Sequence, residues 1–458
     1  MNKRPLIGVL GLARSGRAAT QLALAHGFRV YASDASDSPA LQQVARELQA
    51  KGADVQLGGH ALERLAACAL IVVSPGIPPS APVLRAEAMR SVRRISELEL
   101  AFQYLGSPVI AVTGTNGKST TTAMISHLLR RGGLDAPAAG NIGTALSEIA
   151  LRAEPPDWVV VEASSFQLAD IERFTARIGV VTNLAPDHLD RYDSVATYYA
   201  DKAKLFKNAS SASVWVLNGD DAAVLALPGN VPGRRFYFRI SGELGRGEVG
   251  GFISGRGHLV LRLGTAESPL LHISDLPLLG QHNWANALAA AITAAAAEVP
   301  IDVIQDGLTS FRGLPHRLEV VRELDGVLWI NDSKATNIAS TRVALQSMTR
   351  PTVLLLGGRH KGEPYTNLLT ELRNHVRAVI AYGEAAPLVV QDLAAHVAVE
   401  LVAGGFDDAV ERAASVASPG DAVLLSPACA SFDQFDNYEQ RGERFKKRVA
   451  QLAQVVNG

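Results

Sequence analysis

The stretch "AVTGTNGKST", residues 111–120, carries the residue types of a phosphate-holding loop in nearly the usual order. The common loop reads G-x-x-x-x-G-K-[ST], with its first glycine five residues before the second. Gly117, Lys118 and Ser119 fit; the earlier position is Val112, and the additional glycine is Gly114. Successive backbone N–H groups across Gly114, Thr115, Asn116, Gly117 and Thr120 can curl around phosphate oxygens. Lys118 adds charge toward the terminal phosphates, and the Ser119 hydroxyl can sit on Mg²⁺. Downstream, "EASSFQL" ends an apolar run with Glu162, a charge that is costly to bury unless something positive meets it. "NLAPDHLDRY" (183–192) supplies Asp187 and His188, and "YYADKAKLF" supplies Lys202, on its own no more than a surface cation. Glu162 and His188 follow what read as neighbouring parallel strands on the edge of the loop, which favours a shared Mg²⁺ site.

Further polar clusters follow apolar runs, where α/β proteins place ligand chemistry. "GLARSG" (11–16), with Asp34 further on, has the spacing of a dinucleotide turn, although Ala13 replaces the middle glycine. It fits a nicotinamide or flavin diphosphate, another nucleotide diphosphate, or a plain strand-to-helix turn. "GQHNWANALAA" (280–290) sets Asn283 and Asn286 one helical turn apart, able to read an adenine edge or to cap. "GLPHR" holds His316 and Arg317. "NDSKATN" crowds Asp332, Ser333, Lys334, Thr336 and Asn337, and "LLSPACASFDQFDNYEQRG" adds Ser431 and Asp433.

The elements that must position these residues alternate. "LIGVL", "SGRAATQLALAHG" and "FRVYASD" read as strand, helix, strand, with "ALIVVSPGI" (69–77) as a third strand. A second series opens with "SPVIAVTGTNGKS" and continues with "WVVVEAS", "IGVVTNL" and "VWVLNGDD". The glycine-punctuated 250–263 reads as an antiparallel hairpin. "VLWINDS", "PTVLLLGG", "VRAVIAYG" and "DAVLLSPAC" form a third series after "FRGLPHR" (311–317), whose Gly and Pro read as a linker. The fold class is therefore α/β with mostly parallel sheets, and the expected divisions are 1–106, 107–313 and 314–458.

Bulk properties agree. A chain of 458 residues exceeds one ordinary core, and 47% hydrophobic residues suffice for several. Its 44 basic and 45 acidic side chains argue against a general nucleic-acid or membrane-surface binder. Two cysteines, Cys68 and Cys429, write no disulfide framework or zinc cluster. The start reads as a first strand rather than a signal peptide, and no apolar run reaches 18 residues; a soluble cytoplasmic protein is expected.

Taken in order, "TGTNGKST", "GNIG" (140–143), "SSFQL", "DHLDRY", "GQHN", "GLPHR", "NDSKATN" and "SPACASFDQF" resemble the Mur ligase family. "NDSKATN" and "SPACAS" with "DQF" resemble its glutamate-adding branch. The resemblance implies an ATP-dependent amide-forming ligase of peptidoglycan synthesis with three domains. These are a Rossmann-like N-terminal domain, a central P-loop-type ATPase domain and a Rossmann-like C-terminal domain. It implies that D-glutamate is added to UDP-N-acetylmuramoyl-L-alanine through an acyl phosphate, with two Mg²⁺ ions, by a monomer with no nucleic-acid or membrane partner. Carried over motif by motif, Gly114 to Thr120, Asn283, Asn286, Arg317 and Asp332 would hold ATP. Arg14, Ser15, Asp34, Gly76, Asn141, Ser164 and His188 would hold the UDP-linked acceptor. Thr336, Lys361, Ser431 and Tyr438 would grip the glutamate. Lys118, Glu162, His188, Lys202 and Lys334 would serve catalysis. Ser119, Glu162, His188 and Lys202 would hold metal, Lys202 as the carbamate formed with CO₂. A sibling ligase taking another amino acid or L-glutamate is the nearest alternative, and a nicotinamide-dependent oxidoreductase a more distant one.

Overall fold

The computed structural model describes residues 4–188 and 191–452. Leu189 and Asp190 of "DHLDRY" lie outside the described residues. The architecture is α/β in three domains, each built on one mostly parallel sheet.

The first sheet has five parallel strands in the order Asp54–Gln56, Arg29–Ser33, Leu6–Leu10, Leu70–Val73 and Arg94–Ser96. The short Asp54–Gln56, mixed in polarity, precedes Leu70–Val73, which is thus the fourth strand in the chain rather than the third. The second sheet has nine strands. Its parallel part runs Ala138–Gly140, Val159–Glu162, Val109–Thr113, Ile178–Val181, Val214–Asn218, Arg234–Arg239 and Gly250–Ile253. His258–Arg262 and Glu267–His272 then close it in antiparallel fashion, the first of these pairing back on Gly250–Ile253 as a hairpin. Val109–Thr113, Val159–Glu162 and Ile178–Val181 are buried throughout, as strands covered on both faces must be. The third sheet runs Glu319–Leu324, Val327–Asn331, Ala422–Leu425, Thr352–Gly357, Val376–Tyr382 and Val399–Leu401. Only its first pair is antiparallel.

Contacts gather into two compact units, one of residues 1–276 and 284–311, the other of 277–283 and 312–458. The first unit contains two sheets because one apolar cluster runs through both. Val9, Leu22 and Ile95 join Leu98 and Ala101 of helix Glu97–Phe102, then Val109, Val161 and Phe174. The second unit packs Leu354, Leu356, Val379 and Leu424 on one face of its sheet and Trp329, Leu355, Ile380 and Phe445 on the other. Among the described residues no helix is long and apolar enough to cross a membrane.

Candidate functional site

The loop sits where strand Val109–Thr113 feeds helix Lys118–Arg131. Met124, Ile125, Leu128 and Leu129 bury one face of that helix, and Gly132 ends it. Its two glycines have separate steric causes. Gly114 has φ +141°, and a Cβ there would lie 2.0 Å from Thr182 Oγ1. Gly117 has φ +82°, and a Cβ there would lie 2.5 Å from Asn286 Oδ1. The loop therefore wraps against the end of strand Ile178–Val181 instead of standing on its own turn. Thr115 N–H donates to Asn183 O at 2.8 Å, and Asn116 N–H to Asn183 Oδ1 at 2.9 Å. Asn116 O accepts from Thr182 Oγ1 at 2.6 Å and Asn183 Nδ2 at 2.9 Å. Thr182 and Asn183 were not singled out from sequence; their signal was a polar pair directly after an apolar strand.

Lys118 Nζ donates to Thr115 O at 2.8 Å. Lys202, on helix Val195–Ala203, is 1% exposed and donates to Gly114 O at 2.7 Å, with Nζ 4.6 Å from the Tyr198 ring centre. It is no surface cation. Burial above all, then repulsion from Lys118, brings its amine down to about 7, against the pull of Asp187 and Glu162.

Glu162 is buried at the end of its strand. Its Oε1 accepts from Asn141 Nδ2 at 2.8 Å, while Oε2 is buried with no hydrogen-bond partner. His188 has φ +54° and lies with Nε2 3.6 Å from Asp187 Oδ2. Its ring packs 5.1 Å from Phe166 and 6.1 Å from Tyr198. The expected neighbouring of the Glu162 and His188 strands is not met. Val109–Thr113 lies between Val159–Glu162 and Ile178–Val181, so the two residues leave strands on opposite sides of the loop strand. Hydrophobic runs alone do not order parallel strands. Among the described residues no three His, Cys, Asp or Glu side chains form a metal cluster. The orphaned Glu162 Oε2 nevertheless fits a hard cation, which takes oxygen donors.

At the first sheet, Gly11 has φ +82°, and a Cβ on Gly16 would fall 1.7 Å from Gly11 O. Those two glycines shape the turn, while Ala13 stands before helix Arg14–Ala25 where a dinucleotide turn needs its middle glycine. Asp34 Oδ2 accepts from Leu12 N–H at 2.7 Å and Oδ1 from Ser36 N–H at 2.9 Å. That carboxylate braces the turn. Ser74 Oγ donates to Gly11 O at 2.9 Å, bringing the Ser74–Gly76 turn alongside, and Gly76 faces open space. Ser15 is half-buried on the helix's first turn. A cavity of about 580 Å³ opens beside it, lined by Leu12, Arg14, Arg17, Leu41, Val44 and Glu148. The Arg14 guanidinium donates to Gly143 O and, at 3.4 Å, to Gly140 O. Ser164 caps helix Ser165–Ala169 in a reciprocal box with Gln167. Asn286 Oδ1 accepts from Thr121 Oγ1 at 3.1 Å.

In the second unit, strands Val327–Asn331, Ala422–Leu425 and Thr352–Gly357 lie side by side and parallel. The segments after them, 332–337, 426–433 and 358–361, therefore emerge at one edge. Asp332 Oδ2 accepts from Ser426 Oγ at 2.8 Å and Oδ1 from Leu318 N–H at 3.2 Å. Burial outweighs those donors and raises its carboxyl to about 7. Lys361 Nζ donates to Thr336 Oγ1 at 3.2 Å, and Lys334 Nζ lies 5.5 Å from the Tyr438 ring centre. Ser431 is buried, its carbonyl accepting from Phe435 N–H at 2.9 Å. Asn283 Nδ2 donates to Leu279 O at 2.7 Å. Arg441, also not singled out from sequence, is 1% exposed and donates to Ser333 Oγ, Ser333 O and Cys429 O at 3.0, 2.9 and 3.1 Å. It ties two of the converging segments together. Burial of a whole guanidinium could not be read from one arginine in a polar helix.

Three family models cover most of the chain. They are the MurD-like N-terminal domain of Mur ligases at residues 6–96, the Mur ligase middle domain at 112–294, and the Mur ligase glutamate ligase domain at 316–429. The UDP-N-acetylmuramoylalanine--D-glutamate ligase of Salinibacter ruber is 41% identical over 98% of both chains. That of Anaeromyxobacter dehalogenans is 42% identical over the same shares. In fold, the chain is similar to MurF from Acinetobacter baumannii (TM-score 0.60, 17% identity, 93% of this chain and 91% of that one). It is likewise similar to a pseudomurein peptide ligase type C from Methanothermus fervidus (TM-score 0.58, 20% identity, 98% and 100%). Three domains on mostly parallel sheets, family models matching each and similarity along the whole length agree: the chain belongs to the Mur ligase family.

Proposed function

We infer that the chain is an ATP-dependent ligase that adds D-glutamate to UDP-N-acetylmuramoyl-L-alanine in peptidoglycan precursor synthesis. The observation that carries this is identity of 41% over 98% of the chain to a relative so named. A carboxylate of the acceptor attacks the γ-phosphorus of ATP, forming a C–O–P bond as ADP leaves. The glutamate amine then attacks the acyl carbon, loses a proton and expels phosphate. All reactants are anionic, so alignment and charge neutralisation supply most of the acceleration.

The residue roles proposed here are those that the family motifs imply. The backbone of 114–120 and Lys118 hold the ATP phosphates, with Asn283, Asn286, Arg317 and Asp332 on the rest of the nucleotide. The Gly11–Gly16 turn, Asp34, Gly76, Asn141, Ser164 and His188 serve the acceptor. Thr336, Lys361, Ser431 and Tyr438 serve glutamate, with Lys334 near the reacting groups. The corresponding domains are 1–106, 107–313 and 314–458. Ser119, Glu162, His188 and Lys202 would hold Mg²⁺, which when bound neutralises charge on the transferred phosphoryl group. For Lys202 the supporting observation is its burial beside the loop with a lowered amine. A neutral amine adds CO₂, forming an N–C bond and releasing a proton, and so becomes an anionic oxygen ligand. ATP and UDP-linked substrates support a cytoplasmic enzyme, and the family resemblance supports a monomer.

The test is phosphate release across a panel of UDP-muramyl acceptors and amino acids. Turnover is expected only when ATP, Mg²⁺, UDP-N-acetylmuramoyl-L-alanine and D-glutamate are all present. Turnover with L-alanine or diaminopimelate, and none with glutamate, would overturn the assignment.

A further inference from the structure

Helix Glu97–Phe102 follows the last strand of the first sheet and carries two buried carboxylates, Glu97 at 1% and Glu99 at 0% exposure. Each is spent on main-chain amides of the second sheet's domain. Glu99 accepts from Glu172, Arg173 and Phe174 N–H at 2.9, 2.9 and 2.8 Å. Glu97 Oε1 accepts from Ser147 N–H at 2.6 Å. Ser147 lies in the first turn of helix Leu146–Ala150, whose own cap residue, Ala145, offers no side-chain acceptor. Glu97 thus supplies from another domain the cap that this helix lacks. Three and six residues before the helix, Arg14 holds the carbonyls of Gly143 and Gly140. The segment 140–147 is gripped at both ends by the acceptor domain, through its carbonyls at one end and an amide at the other. Between the grips lies Asn141, whose N–H donates to Glu162 O at 2.9 Å and whose amide donates to Glu162 Oε1 at 2.8 Å. Gly140 has no room for a Cβ, which would lie 2.4 Å from Glu162 O. A shift of the segment therefore moves Asn141 directly against Glu162.

We propose that Arg14 and Glu97 are positioning residues that clamp segment 140–147 and, through Asn141, aim the Glu162 carboxylate. Arg14 then contributes to the reaction by holding a protein loop rather than by binding the acceptor's diphosphate. The placement also explains why an arginine stands at the N-terminus of helix Arg14–Ala25, where its charge opposes the helix dipole. Its guanidinium leans away to carbonyls that need donors. The inference rests on the ligase reading for the meaning of Glu162, while the clamp itself stands on the hydrogen bonds.

The test compares Arg14→Met and Glu97→Met with the conservative Arg14→Lys and Glu97→Gln, and with Glu99→Met as a packing control. Three readouts are taken: kcat, acceptor affinity by calorimetry without nucleotide, and amide hydrogen exchange of peptides spanning 140–147. Both Met variants are expected to lower kcat about tenfold or more, with acceptor Kd changed less than about threefold, and to speed exchange in 140–147. Glu97→Gln keeps an oxygen acceptor for Ser147 N–H and is expected to stay within about threefold of the parent on all readouts. Glu99→Met is expected to lower Tm without moving kcat. Unchanged exchange and kcat in both Met variants would overturn the clamp. So would an Arg14→Met enzyme that keeps its kcat but binds acceptor about tenfold more weakly, which marks a direct ligand. Should Arg14→Met not fold, Glu97→Met decides by kcat and exchange alone. If the unsubstituted protein shows no ligase turnover, the functional reading fails; the exchange data still judge the clamp.

Discussion

Replacing Gly114 by alanine isolates the cause of the unusual phosphate loop. The residue has φ +141°, a region closed to side chains with a Cβ, and the added carbon would lie 2.0 Å from Thr182 Oγ1. Backbone strain of this kind costs about 1–3 kcal/mol. To clear the carbon, Thr182 must turn away from Asn116 O at 2.6 Å and Thr113 O at 3.3 Å, forfeiting about 1 kcal/mol more. The sum is about 2–4 kcal/mol, and at about 2–4 °C per kcal/mol for a large domain it lowers Tm by roughly 5–15 °C. ATP affinity should fall as well, because Thr182 and Asn183 together hold the Asn116 carbonyl. Calorimetry of the unliganded protein and nucleotide titration read both effects. The double variant Gly114→Ala/Thr182→Ala should recover the steric share but not the strain. A single variant melting within 1 °C of the parent, with unchanged ATP affinity, would refute the reasoning.

Three further outcomes follow from the same geometry. Lys118→Ala should abolish ATP turnover while leaving acceptor binding nearly intact by calorimetry; joint collapse of both affinities in a folded protein would contradict the separate assignment of the two nucleotides. Lys202→Ala should lose activity on the order of 100-fold, with partial rescue by acetate. Lys202→Arg keeps the charge but cannot form a carbamate and should fail equally, so near-normal turnover in it would end that role. The Asp332 carboxyl rises from 3.8 unfolded to about 7 folded, so its contribution to stability is full below about pH 4 and is lost as pH climbs through 7. The loss is at most about 4 kcal/mol. Asp332→Asn should therefore flatten the decline in stability of the second unit between about pH 4 and 7, and identical pH slopes for the two proteins would disprove it.

Much of this protein was legible in the chain because its signals are local. A β-branched run followed by a glycine turn and an amphipathic helix specifies strand, loop and helix without reference to anything distant. The loop at 114–119 and the hairpin at 250–262 were readable for that reason. The ordered blocks from "TGTNGKST" to "SPACASFDQF" likewise identified the family, since each is a short contiguous pattern. Tertiary structure decided whatever depends on which strand lies beside which. Periodicity says that a run is buried on both faces but not who its neighbours are, so Val109–Thr113 fell unforeseen between the strands leading to Glu162 and His188. The same holds for side chains whose partners are remote in sequence. Arg14 lies 129 residues from the Gly143 carbonyl it holds, and Glu97 lies 50 from Ser147. Lys202 reads as one more cation on a polar helix until folding brings it under Gly114, 88 residues away, and strips it of water. Desolvation is a property of the packed neighbourhood, and no residue carries it in its own letter.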